Sequence, residues 1–222
     1  MKKAICLISG GLDSCVSAMI AKDQGYQLYS LSFNYAQRHK KELNQAKKIA
    51  RFLGVHRHLE LKTELGTLGG SALTDDIPVP PGTQLRHTIP LTYVPARNTI
   101  FLAYALAYAE ITASSSIFIG ATSIDYSGYP DCRPEYFKAF QHLADLATKR
   151  GIEGDRIMIQ TPLIDMSKSS IIKKGIELGA PLHLTWSCYQ GGMKACGHCD
   201  ACLLRLKGFK EAGIPDPIDY EN

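Results

Sequence analysis

Nowhere does an apolar run approach the roughly 20 residues that a membrane-spanning helix needs. Nor is a signal peptide expected, because the apolar stretch Ala4-Ile5-Cys6-Leu7-Ile8 behind Met1-Lys2-Lys3 is too short for one. The net charge of +4 is mild. It tolerates an anionic ligand, and without a basic tract no direct nucleic-acid or membrane contact is expected. Internal repeats are absent, and so is the Walker A pattern Gly-x4-Gly-Lys-Ser/Thr. A cytoplasmic protein is expected. In that compartment seven cysteines are not expected to form disulfides.

What is present begins with Ser9-Gly10-Gly11-Leu12-Asp13-Ser14, set directly after the first apolar run. A glycine pair between a buried strand and a helix lets backbone N–H groups turn inward, and the helix N-terminus adds partial positive charge. That is a cradle for an anion such as pyrophosphate. The plain alternative is a tight turn in which Asp13 only caps a helix.

Short β-rich runs near Lys3–Ile8, Gln27–Phe33, Arg57–Leu61, Ser116–Gly120 and Arg156–Gln160 alternate with helical patterns. The alternation predicts an α/β fold with a doubly wound, parallel, five-stranded sheet. Leu43, Ala46, Ala50 and Leu53 share one helix face before Gly54. The segment from Arg97 to Thr112 is apolar almost all round and is expected to be covered on both sides. Further helices are expected from Pro134 to about Arg150 and from Ser167 to Gly179. The stretch from Gly66 to Tyr93, rich in glycine and proline, reads as either disordered or functional, a mobile lid or a subunit contact being favoured over a domain linker. Polar clusters follow the first, second, fourth and fifth strands, the edge where open parallel sheets bind ligands. We expect residues 1–185 to form this domain and 186–222 to be an extension packed on it.

Cys188, Cys196, Cys199 and Cys202 supply four thiols from one short loop and a helix start. Such a set suits one structural zinc, closed to water. An iron–sulfur cluster and sulfur transfer are the alternatives. Cys6 and Cys15 read as core residues, and Cys132 stays open.

The Ser-Gly-Gly-x-Asp-Ser loop resembles that of the N-type ATP pyrophosphatases, which cut ATP to AMP and pyrophosphate. Four other segments narrow the resemblance: Phe33-Asn34-Tyr35-Ala36-Gln37-Arg38-His39, Val94-Pro95-Ala96-Arg97-Asn98, Asp125 to Glu135 with its Asp131-Cys132-Arg133-Pro134-Glu135, and Thr185-Trp186-Ser187-Cys188-Tyr189. With the four-cysteine tail, they are similar to the 7-cyano-7-deazaguanine synthase family over nearly the whole chain. Ala36 departs from the glycine expected there. The resemblance implies an adenine nucleotide alpha hydrolase-like fold. It also implies a queuosine-pathway ligase that turns 7-carboxy-7-deazaguanine and ammonia into a nitrile by two successive adenylations.

Roles follow as expectations from that resemblance. ATP contacts fall on Ile8, Ser9, Gly10, Gly11, Leu12, Asp13, Ser14, Cys15, Val16, Ser17 and Ala18, with Asp13 also orienting magnesium. Arg97 and Lys168 stabilise charge at the α-phosphate, beside Asp13 and Ser14, unless they are solvated surface groups. Arg38, Asp131 and Arg133 contact the deazaguanine substrate, although Asp131 and Arg133 have the alternative of a local ion pair. His39 is either a structural residue or an acid–base group. A homodimer is expected from the apolar helix and the proline-rich loop. Two rival readings remain: an enzyme that adenylates a tRNA base, and a zinc-stabilised module that senses ATP without catalysis.

Overall fold

Alternation along the first strand, β1 (Lys3–Leu7), sends Ala4 and Cys6 to one face and Ile5 and Leu7 to the other, and all four are buried. A strand apolar on both faces belongs at the centre of a parallel sheet. The computed structural model describes residues 1–35, 41–78, 89–124 and 128–221, and it places β1 there. The other strands are β2 (Gln27–Asn34), β3 (Arg57–Lys62), β4 (Ser116–Phe118) and β5 (Met158–Gln160). All pairs are parallel, in the order β3-β2-β1-β4-β5, with Cys6 in register with Ser30 on one side and Phe118 on the other. The expected five-stranded, doubly wound sheet is therefore what forms. Its strand order reverses between β1 and β4, which puts the binding crevice at the carboxyl end of β1.

Helices α1 (Leu12–Asp23) and α2 (Lys41–Leu53) cover one face. There Cys15, Ala18, Ala46, Ile49 and Leu53 close over Ala4, Cys6 and Leu28. Helices α3 (Arg97–Thr112) and α4 (Pro134–Ala147) cover the other, with Leu102, Ala105, Phe137 and Phe140 against Ile5, Leu31 and Ile117. Each fully buried Leu, Ile or Phe contributes roughly 1.5–3 kcal/mol to this core. Cys6 and Cys15 are core thiols, and burial pushes each up to about 12.

Several expected elements end differently. Instead of one helix to Arg150, α4 stops at Ala147, and Thr148, in extended conformation, starts the short α5 (Lys149–Ile152). The Thr148 hydroxyl donates to the Ala144 carbonyl at 2.8 Å and accepts from the Gly151 N–H at 3.0 Å, so it caps both ends. The fifth strand begins late because Arg156 turns aside to a bidentate pair with Asp145 of α4. The fourth ends early. A Cβ on Gly120 would meet the Asp13 backbone, so the chain there runs under the first loop and leaves the sheet. Helix α3 is not covered on both sides in the single chain. Ala103, Tyr104, Ala107 and Ile111 face solvent, Ile111 at 81%.

Helices α6 (Lys168–Glu177) and α7 (Asp200–Ala212) complete the molecule. Phe209 of α7 shares a buried cluster with Leu12, Ile171 and Ile172, so the C-terminal segment rests on α1 and α6. Of the long loop, residues 71–73 are buried, and the Ala72 N–H donates to the Leu91 carbonyl at 2.7 Å. Residues 79–88 of that loop lie outside the described residues.

Candidate active site

Gly10 follows β1 with φ +93°, and a Cβ there would strike the Glu42 carbonyl, so the turn requires glycine and α2 starts against it. Gly11 is the N-cap of α1 and brings no side chain to the first-turn N–H groups, which have no intrahelical acceptor. The serines fix the loop's shape. Ser9 Oγ donates to Ser14 Oγ at 3.1 Å and accepts from the Gly11 N–H, while Ser14 Oγ donates to the Gly11 carbonyl at 3.0 Å. The result is a glycine turn leading into a helix N-terminus, an arrangement that suits an anion.

Lys168, the first residue of α6, reaches across to Asp13 and donates to both carboxylate oxygens at 2.7 Å. Asp13 is therefore not a simple helix cap. The pair sits at the edge of a cavity of about 320 Å³, which Ile8, Ser9, Gly11, Leu12 and Ser14 also line. Of the expected ATP-contacting stretch, Cys15, Val16, Ser17 and Ala18 are buried away from this cavity, and the Gly10 carbonyl accepts from the Trp186 N–H at 2.9 Å. Arg97 lies in the cavity wall, hydrogen-bonded to Tyr35, with Tyr129 close by. Tyr189, hydrogen-bonded to Tyr129, joins them, and burial raises its hydroxyl well above the ordinary range. The apolar floor is Leu7, Leu31, Phe33, Phe101 and Ile119, with Phe33 and Phe101 stacked at 3.9 Å.

The structure separates the other expected substrate residues. Asp131 is 5% exposed and does not line the cavity. One of its oxygens accepts from the Asn98 N–H at 2.9 Å, in the first turn of α3. Arg133 donates to the Pro130 carbonyl and lines a second depression beside Tyr129 and Cys132. No ion pair joins Asp131 to Arg133 among the described residues. Arg38 and His39 lie outside the described residues.

The sequence reading missed Glu42 and Arg205. Both line the cavity. Glu42 stands in the first turn of α2, and burial pushes its carboxyl up to about 7 against the pull of Arg97. An acid placed just behind the polar cluster after β2 was the signal. Arg205 carried none: an arginine among helix residues looks like surface until Asp216 and Thr185 fold around it.

Cys188, Cys196, Cys199 and Cys202 are all buried, and their sulfurs lie within 4.8 Å of one another. A zinc–sulfur length of about 2.3 Å gives a tetrahedral edge of about 3.8 Å, and the Cys196 and Cys202 sulfurs are 3.9 Å apart. Hydrogen bonds from the Cys199 and Cys202 thiols, and from the Cys196 and Gln190 N–H groups, favour a thiolate at Cys188. The same coupling to Cys188 raises Cys202. Four buried sulfurs this close fit a soft dication, which would hold all of them as thiolates. A multi-iron cluster would need its thiolates further apart. The loop is tied to the site by Lys41, whose ammonium lies 3.3 Å from the Trp186 ring centroid and donates to the Gly192 and Met193 carbonyls.

A sequence profile of the family described as Queuosine biosynthesis protein QueC matches residues 3–213. The chain belongs to the QueC family. It is 56% identical to the 7-cyano-7-deazaguanine synthase of Desulfatibacillum aliphaticivorans over 99% of this chain and 97% of that one. It is 55% identical to that of Acetivibrio thermocellus, over 99% and 98%. Among solved structures it resembles a 4-thiouridine synthetase in an RNA complex with bound ATP, at TM-score 0.53 and 22% identity, covering 80% of this chain and 41% of that one. A predicted tRNA methyltransferase subunit from Methanocaldococcus jannaschii matches at TM-score 0.50 and 17% identity, over 80% and 75%. These two likenesses concern the fold alone. Family membership makes the chain an enzyme of queuosine biosynthesis, an ATP-dependent ligase.

Proposed function

We propose that this chain converts 7-carboxy-7-deazaguanine and ammonia to 7-cyano-7-deazaguanine, splitting ATP to AMP and pyrophosphate in each of two adenylations. The observation that carries this reading is the glycine turn and helix N-terminus of the first loop, with the Asp13–Lys168 pair beside it, opening into an aromatic-walled cavity. A carboxylate is a poor electrophile at neutral pH. Its oxygen attacks the α-phosphorus of ATP, the bond to the bridging oxygen breaks, and pyrophosphate leaves toward that turn, whose N–H donors offset its charge. Lys168 and Arg97 stabilise charge at the α-phosphate, with Ser14 holding the loop's shape. Asp13 would hold magnesium, which would offset the charge of the phosphates. Ammonia then displaces AMP to give the amide. The amide oxygen takes the carboxylate oxygen's place for a second adenylation, after which loss of AMP leaves the nitrile. Arg38, Asp131 and Arg133 serve the deazaguanine side of the site, Asp131 by holding the start of α3 and hence Arg97.

The four cysteines hold one structural zinc, and residues 186–222 act as an extension of the 1–185 domain rather than a separate body. The exposed apolar residues of α3 support a homodimer. No described helix is long and apolar enough to cross a membrane, and we place the enzyme in the cytoplasm, without direct nucleic-acid contact.

The test is incubation with the carboxylate or with 7-amido-7-deazaguanine, ATP and magnesium, with and without ammonium. The expected outcome is AMP in both cases, and nitrile from the amide with no ammonium added. Release of ADP, or an inert amide beside a reactive carboxylate, overturns the two-adenylation route. Inertness of both compounds favours the tRNA-base reading.

A further inference from the structure

The proposed reaction makes a demand on this cavity that its phosphate-binding groups do not meet. Ammonia brings three protons to the site and the nitrile nitrogen keeps none, so a base must take one proton as the amide forms and two more as the amide is adenylated and loses AMP. Asp13 and Glu42 are the only acidic residues that line the cavity among the described residues. Asp13 gives both oxygens to Lys168. Glu42 has no hydrogen bond or ion pair with any described residue; beyond burial, Arg97 pulls its carboxyl down and Cys188 pushes it up. It is held in place by its backbone, since the first turn of α2 abuts Gly10, and its neighbour Lys41 is anchored on Trp186. Glu42 thus lines the same cavity as the pyrophosphate loop without being part of that loop.

On the reading given under Proposed function, we propose that Glu42 is the proton acceptor for the substrate nitrogen in both halves of the reaction. In the first half the nitrogen lone pair forms the C–N bond to the adenylated carbonyl carbon. The bond from that carbon to the AMP oxygen breaks with its electron pair on AMP, and the proton shed by nitrogen passes to a Glu42 oxygen and then to solvent. In the second half, nitrogen's remaining protons leave by the same carboxylate, one as the amide oxygen is adenylated and one as the C–O bond to AMP breaks. A carboxyl pushed up to about 7 by burial is matched to that exchange near neutral pH.

The test uses the full chain with zinc bound, as wild type, Glu42→Gln and Glu42→Asp. Exchange of labelled pyrophosphate into ATP, with the carboxylate present and ammonium absent, reads the first adenylation alone; amide and nitrile yields read the nitrogen steps. Glu42→Gln is expected to keep exchange within about threefold and to lose amide and nitrile formation by about 10²–10⁴-fold, with Glu42→Asp partly restoring them. If Glu42→Gln forms the amide within about tenfold of wild type, the assignment is wrong. Parallel loss of exchange and product in both variants, with zinc content and thermal midpoint unchanged, makes Glu42 part of the ATP site and also overturns it. Parallel loss accompanied by loss of zinc or a lowered midpoint in both variants makes Glu42 structural, and the proton-acceptor role falls in that case too. A wild type that shows no exchange with the carboxylate fails at the earlier step, and the reaction itself must then be reassigned along with Glu42.

Discussion

Two ion pairs hold the two ends of this site, and their surroundings differ. At the pyrophosphate loop, Lys168 and Asp13 keep 15% and 28% of their side-chain surface in solvent, and the ammonium makes two contacts, both to one carboxylate. Beneath the cysteine loop, Arg205 and Asp216 keep 2% and 6%. There Arg205 donates from Nε and Nη2 to the two Asp216 oxygens, from Nη1 to Thr185 and Ser187, and from Nη2 to the Leu182 carbonyl. Asp216 also accepts from the Tyr220 hydroxyl at 2.6 Å and the Ile218 N–H. A partly exposed pair can be redistributed onto phosphates or a cation when they arrive, at little cost to the fold. A buried pair with every donor engaged fixes one arrangement of α7, the 182–187 segment and the tail. One end of the cavity is built to exchange partners and the other to hold still.

The cysteine loop offers the sharpest way to break the comparison, because on the proposed function its rigidity rests on a zinc as well as on Arg205. Cys199→Ala is expected to lose the single zinc and to destabilise the C-terminal segment by more than about 5 kcal/mol, since metal binding and local folding are one equilibrium. Metal analysis and thermal melting check this, and unchanged zinc in the variant would remove the structural-zinc reading. Arg205→Met comes next, at about 3–5 kcal/mol, because it strands the Asp216 carboxylate in the interior. The double variant Arg205→Met with Asp216→Leu should recover much of that loss in urea unfolding. If the double variant is no better than the single one, the pair does more than neutralise itself. The smallest effect on stability belongs to the other end. Asp13→Ala should shift unfolding by no more than about 1 kcal/mol while AMP formation falls by about 100-fold or more. An Asp13→Ala enzyme with near-normal turnover would erase the functional half of the contrast.

Both ends were legible in the residues wherever their chemistry is local. The pyrophosphate loop could be read directly, because its chemistry lies in consecutive backbone groups: Gly10 and Gly11 between an apolar run and a helix dictate the turn and the helix start wherever the rest of the chain goes. The cysteines could be read for the same reason, being local in spacing and unmistakable as ligands. The strands announced themselves by apolar runs bounded by turn residues, and parallel pairing followed from their alternation with helices. The ends of β4 and β5 could not be read, because they are set by a glycine under Asp13 and by an Arg156–Asp145 pair between distant elements.

Sequence by itself determined the strand–turn–helix loop, the four-thiol set, the sheet class and the family, all of which rest on short-range pattern. Only the tertiary structure decided which charges meet. Lys168 is 155 residues from Asp13, Asp131 turns out to hold the start of α3, and Glu42 and Arg205 come to line the cavity only when helices from opposite ends of the chain close around it. The physical reason is that a side chain's burial and partners are properties of the packed core. Residues adjacent in sequence fix the backbone at a site, but the charge and protonation of its groups are set by whatever the fold brings against them.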